Sequence, residues 1–166
     1  METAATRTQQ IVSRWDSSEV LFECEIQADV ESGMAMRYAL EKATAARADL
    51  TDANLSRADL SRADLTGAYL SGAYLSGAKW RDGITISRAP LQISGLHWWM
   101  VYILDAHMQI GCELHSLDDW RSFDDARIVK MDGRNALRFW RAHKDALLAI
   151  AASDGRGVID AVVAAA

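Results

Sequence analysis

Proline is almost missing from this 166-residue chain: Pro90 stands alone, which excludes long proline-bearing linkers. Cysteine is nearly as scarce. Cys24 and Cys112 lie far apart, so no disulfide framework is expected, and a reduced cytoplasm is the expected setting. No apolar run approaches the roughly 18 residues of a membrane span, and the polar N-terminus does not read as a signal peptide. Positive charge is also short. Eighteen Lys and Arg against 23 Asp and Glu give a net charge of −5, which leaves no electrostatic footprint for direct nucleic-acid binding. A nucleophile elbow, a phosphate loop, a paired-histidine metal motif and a dinucleotide fingerprint are all lacking. These absences favour binding over catalysis, and no cofactor or metal is implied.

What the chain has instead is alanine and leucine at fixed spacing. From Ala48 to Trp80 it reads ADLTD, ANLSR, ADLSR, ADLTG, AYLSG, AYLSG, AKW. Alanine holds the first place of each unit and leucine the third, with Trp80 in the last leucine place. A helix cannot keep such a repeat on one face, because five steps of about 100° overshoot a full turn by roughly 140°. A flat strand sends alternate units to opposite faces. A period of five stays in register only if every unit ends in a turn and all leucines point at one axis, which describes a solenoid.

The Ala-(Asp/Asn)-Leu-x-x pattern resembles the pentapeptide-repeat family. The resemblance implies a right-handed quadrilateral β-helix with one pentapeptide per side and four per coil. The alanines would be its small inward residues and the leucines its stacked core. Some members of that family imitate DNA, but two magnitudes oppose that role here. Seven units make under two coils, a stack of about 8 Å at roughly 4.8 Å per layer, which matches two or three base pairs at about 3.4 Å each. Charge disagrees too: Asp49, Asp52, Asp59 and Asp64 are balanced by Arg47, Arg57, Arg62 and Lys79. The repeats therefore read as a scaffold, on which Tyr69 and Tyr74, beside Gly67, Gly72 and Gly77, offer a contact patch or lie under C-terminal elements.

Upstream, residues 10–15 and 20–26 alternate as a hairpin. Ser32 is expected to cap a helix over Ser32–Ala46, with Met34, Tyr38 and Ala45 inward, closing the open end of the solenoid. Downstream, Arg81-Asp82-Gly83 reads as a turn, followed by extended segments at 84–87, 91–94, 98–104 and 108–111. Ser116 opens a short helix, a second runs from Asp124 and stops at Gly133, and a third spans Asn135 to Ser153. Ala136, Trp140, His143, Leu147 and Ile150 form its inward stripe. A short strand is the most expected of Val158–Val163.

Functional groups concentrate at Asp105, His107, Cys112 and His115. As metal ligands these supply N, S and O donors but lack a second Cys/His pair. As a nucleophile, Cys112 would draw on His107 or His115. As a pocket, His97, His107, His115, Trp98, Trp99 and Trp120 would join Arg134, Arg138, Arg141 and Lys144 around an anionic heterocycle such as a nucleotide. As plain structure, Cys112 is a small buried hydrophobe and the tryptophans fill a core. The run Ile110-Gly111-Cys112, His115, Trp120 and Phe139-Trp140 also resembles the C-terminal part of short phage and prophage pentapeptide-repeat proteins, which implies a phage-type setting.

The expected architecture is one domain, mainly β with α. A hairpin and capping helix occupy 1–47, a short β-helix occupies 48–80, and strands and helices of 81–166 pack on it. The expected function is a non-enzymatic phage-type protein that binds and blocks a host protein, with a homodimer left open. The alternative is a sponge for an anionic small molecule. Candidate binding residues are Trp99, His107, Cys112, His115, Trp120, Arg138 and Arg141, with Tyr69 and Tyr74 on the repeats.

Overall fold

The computed structural model describes residues 5–157 except 62, 64, 66 and 67, and the chain divides into two compact units, Met1–Ala89 and Pro90–Ala166. The strand expected within Val158–Val163 lies outside the described residues. No helix among those described is long and apolar enough to cross a membrane.

The first unit opens with β1 (Thr6–Val12) paired antiparallel to β2 (Val20–Gln27). The hairpin falls where alternation predicts it, but its first strand stops at Val12. Beyond that point the chain leaves β2 and joins the repeats: Ser13 bridges Ala53, Arg14 N–H donates to the Asp52 carbonyl (2.8 Å), and Asn54 N–H donates to the Val12 carbonyl (2.8 Å). The end of the hairpin is thus a layer laid on the first coil.

Helix α1 (Ser32–Ala45) packs against β1 and β2 with Ala35, Ala39, Leu40 and Ala43 buried. This corrects the expected inward face, since Met34, Tyr38 and Ala45 are exposed. Alanines at i, i+4 and i+8 line one side of the helix and let it approach closely. Tyr38 lies under Lys42, whose Nζ is 4.9 Å from the ring centroid. The N-cap is Glu31 rather than Ser32, without a side-chain cap. The helix runs directly into the repeats through Ala48 N–H to the Ala43 carbonyl (2.9 Å).

In the repeats, the third-place carbonyl accepts from the next first-place N–H three residues on, as in Leu50 to Ala53 (3.0 Å) and Leu70 to Ala73 (3.1 Å). The fifth place has positive φ at Arg47, Asp52, Arg57, Gly72, Gly77 and Asp82. A positive φ at the third position of a turn, after a residue without one, is the type II pattern. The second place adds its own brace. Asp49, Asn54 and Asp59 each accept the N–H of the Ser or Thr two residues later, at 3.0, 3.2 and 3.1 Å, which is the Asx turn. Parallel bridges then link Asp49 to Tyr69, Asn54 to Tyr74 and Asp59 to Lys79. Each pair is 20 residues apart, so a unit sits over the one four pentapeptides away. The bridges are isolated and do not merge into a continuous sheet.

Leu50, Leu55, Leu60, Leu65, Leu70 and Leu75 are all buried, as is Trp80 in the last leucine place. Burying each leucine is worth about 1.5–3 kcal/mol. The chain then doubles back, with β3 (Ala78–Lys79) antiparallel to β4 (Thr85–Ile86) across a turn whose Asp82 and Gly83 both have positive φ.

The second unit is an antiparallel meander of β5 (Leu91–Ile93), β6 (Val101–Ile103), β7 (His107–Ile110) and β8 (Glu113–Ser116), in that spatial order. The extended segment expected from Trp98 shrinks to Val101–Ile103, and β8 was not expected. Helix α2 (Leu117–Ser122) starts where predicted, with Ser116 Oγ accepting the Asp119 N–H (2.9 Å). Helix α3 (Asp125–Ser153) is capped by Asp124 and broken at Asp132 and Gly133, where φ is −150° and 63°. Its C-terminal half buries Phe139, Trp140, Leu147 and Ala151, while Ile150 is exposed. Eleven residues past Trp140 return within about 20° of its direction, whereas ten miss by about 80°.

The helix ends in a Schellman motif: Gly155 N–H donates to the Ala152 carbonyl (3.0 Å) and Arg156 N–H to that of Ala151 (2.8 Å). Arg156 is thereby buried, with Nη1 on the Ile103 carbonyl (2.8 Å) and Nε on Asp154 (2.7 Å).

Two outcomes follow for the first unit. A Cβ on Gly72 would lie 2.3 Å from Asp52 Oδ1 at φ +67°, while one on Gly83 meets nothing within 4 Å at φ +78°. Gly83→Ala should cost about 1 kcal/mol in thermal melts and Gly72→Ala more, within the 1–3 kcal/mol of a strained left-handed residue. Pairing Gly72→Ala with Asp52→Ala should recover the excess. Equal losses would show that the contact carries nothing.

The Asp49 and Asp59 carboxyls sit below their ordinary value of 3.8, first because the Thr51 and Ser61 hydroxyls bond them. A depressed carboxyl contributes stability that is full above about 3.8 and lost as pH falls through its folded value. Asp59→Asn keeps the turn, as Asn54 does, so its melting temperature should fall less between pH 5 and pH 3 than that of the unchanged protein.

Candidate functional site

In the second unit, β7 passes to β8 through Gly111 and Cys112 alone, since Ile110 pairs with Glu113. Gly111 has φ +58° and Cys112 does not share the positive sign, as in a type II′ hairpin. A Cβ at Gly111 would also stand 2.9 Å from Trp99 Cδ1. Glycine here serves the turn and the approach of the indole together. Trp99 is held from the other side by His97, whose ring stacks at 4.4 Å between centroids, and it meets Phe139 edge-on at 5.5 Å.

Around this turn the meander and α3 leave a cleft of about 300 Å³. Trp99, Trp120, Phe139 and Trp140 supply its aromatic walls, and Ile110, Ile128, Met131 and Ala136 its aliphatic ones. Cys112 and Glu113 reach it from the hairpin and Asp132 from the break in α3. Trp120 donates its indole N–H to the Met108 carbonyl at 2.7 Å, which pins that wall to β7. The indole N–H of Trp140 is buried and has no hydrogen-bond partner among the described residues.

The predicted site residues divide sharply. Trp99, Cys112 and Trp120 are brought to the cleft. Cys112 is exposed rather than buried, and neither cysteine is in a disulfide. His115 does not line the cleft; its Nε2 lies 2.9 Å from Glu113, and its ring sits edge-on to Trp120 and Phe123 at 5.2 and 5.0 Å. An ionised carboxylate only accepts, so Nε2 donates in this pair. His107 is half-buried at the start of β7, opposite Ser116.

The basic helix face is employed elsewhere. Arg141 is ion-paired with Asp125, and Lys144 donates to the Arg121 carbonyl at 2.9 Å with its Nζ 5.5 Å from the Trp140 ring. Arg134 and Arg138 are exposed on α3. Among the described residues, no lysine, arginine or histidine lines the cleft, and no three His, Cys, Asp or Glu side chains converge as metal ligands.

Ile110, Glu113, Ile128, Met131, Asp132, Ala136, Phe139 and Trp140 line the cleft without having been among the predicted site residues. The signal for Met131, Asp132 and Ala136 was Gly133. A glycine inside a helical pattern marks a break, and the break brings residues before and after it to one opening.

Tyr69 and Tyr74 belong to the other unit, on successive bridges of the coil, 66% and 42% exposed. Arg14 packs over the Tyr74 ring at 5.3 Å and over Trp15 at 4.5 Å, and its Nη1 donates to the Gly72 carbonyl (2.9 Å). Trp15 is 73% exposed.

Residues 43–79 match the pentapeptide-repeat family in eight copies. The first copy begins at Ala43, inside α1, one unit ahead of the clear pattern. No curated protein and no solved structure matches the chain.

Proposed function

We propose that the chain is a non-enzymatic binding protein of phage type, in which the cleft of the second unit seats a small apolar ligand. The repeats, wound as a short right-handed quadrilateral coil, act as scaffold. The observation that carries this reading is the 300 Å³ cleft walled by Trp99, Trp120, Phe139 and Trp140. An apolar cavity of about 150 Å³ already holds benzene, so the volume suffices for one substituted ring. The walls of the cleft are largely aromatic, and among the described residues its charged members are the acidic Glu113 and Asp132, so the site is poorly suited to a nucleotide phosphate.

Cys112 reports on occupancy, because it is exposed yet lines the cleft. Burial pushes the Cys24 thiol up, so alkylation at pH 7 should strike Cys112 first. In native mass spectrometry against an aromatic fragment set, one molecule should be retained per chain and should slow Cys112 alkylation. Trp99→Ala should abolish both effects while the melt stays cooperative. No retained fragment, with Cys112 equally reactive throughout, would overturn the reading.

A second reading rests on Trp15, Tyr69 and Tyr74, exposed on one unit with Arg14 between two of them. Aromatic and arginine side chains are the usual anchors of protein interfaces, and the occupant would be a host protein that the phage-type chain blocks. Pull-down from bacterial lysate should recover a stoichiometric partner that the Trp15→Ala, Tyr74→Ala double variant loses. Equal recovery by the variant would refute this surface.

A further inference from the structure

The electrostatic character of the cleft goes further than its size. Glu113 and Asp132 are the charged side chains on its wall, and both are carboxylates. Trp99, Trp120, Phe139 and Trp140 present π-systems whose faces are negative and attract cations. The basic residues of α3 that sequence reasoning placed here are not on the wall: Arg141 is committed to Asp125 and Lys144 to the Arg121 carbonyl. Glu113 also lies 2.9 Å from His115 Nε2, a ring that is not on the wall.

We infer that the ligand is a small organic cation, an amine or quaternary ammonium carrying an apolar body. This rests on the reading of the cleft as a ligand seat and specifies its chemistry. The apolar body fills the aliphatic side formed by Ile110, Ile128 and Met131. The cationic head lies toward Glu113 and Asp132, where an aromatic wall is also in reach.

Three probes of nearly equal shape test it by calorimetry on the full chain: 3-hydroxyphenyltrimethylammonium, its neutral carbon isostere 3-tert-butylphenol, and 3-hydroxybenzenesulfonate. The cation should bind about tenfold tighter than the neutral isostere, the advantage that a partly desolvated cation–π contact with nearby carboxylates supplies. The sulfonate should bind weakest. Glu113→Gln with Asp132→Asn should erase most of the advantage of the cation over the neutral isostere, and a melting transition as cooperative as that of the unchanged protein shows that the variant is folded.

If cation and neutral isostere bind equally, the cationic inference fails and the cleft remains a ligand seat. If the sulfonate binds best, the charge argument is reversed and the inference fails. If none of the three binds, the inference and the ligand seat fall together.

Discussion

Backbone turned into the left-handed region sets where both units change direction. Every fifth described position of the repeats from Arg47 to Asp82 has positive φ, and each such residue ends one side of the coil and starts the next. Without it the leucines could not return to one axis, and the core of Leu50 to Leu75 would not stack. Arginine and aspartate hold that conformation at 47, 52 and 57, so the coil supplies enough burial and hydrogen bonding to offset about 1–2 kcal/mol of strain at each. Gly72 is where strain and close approach coincide, because Asp52 of the layer below fills the space a Cβ would need.

The same constraint builds the cleft in the second unit. Gly111 turns β7 into β8 in two residues and lets Trp99 lie against the turn. Gly133 breaks α3, and Met131 and Asp132 before the break line one cleft with Ala136, Phe139 and Trp140 after it. Gly155 closes α3 in a Schellman motif and sends Arg156 to the Ile103 carbonyl. Three glycines thus position a β-turn, a helix break and a helix end around one aromatic core. The chemistry of the cleft follows from what those turns expose: indole faces, an exposed thiol and two carboxylates.

Much of this was legible in the sequence. The five-residue period announced the coil, Ser116 announced a helix start through its cap, and Gly133 announced the break. Periodicity failed where small residues do the packing. In α1 the buried stripe is alanine, and hydrophobic size pointed instead to Met34 and Tyr38 on the outer face. The stripe of the last helix slipped by one residue at Ile150 because a ten-residue step was read as in phase. Strand β8 was missed because Glu113, His115 and Ser116 carry no apolar alternation. The site was half legible: Trp99, Cys112 and Trp120 meet there, but Arg138, Arg141, His107 and His115 do not. Charge on a helix says that the helix has a polar face; it does not say whether that face meets a cavity, solvent or an acidic neighbour such as Asp125.

The claim at the centre of this account is that the cleft beside Gly111 receives a ligand while the repeats serve as scaffold. The most direct measurement is the nuclear magnetic resonance of the indole N–H groups during titration with 3-tert-butylphenol. The Trp99 and Trp140 signals, from two indoles of the cleft lining, should shift together and saturate at one equivalent. The signals of Trp15 and Trp98, both exposed, should stay in place. Movement of Trp15 with Trp99 and Trp140 unchanged would contradict the account.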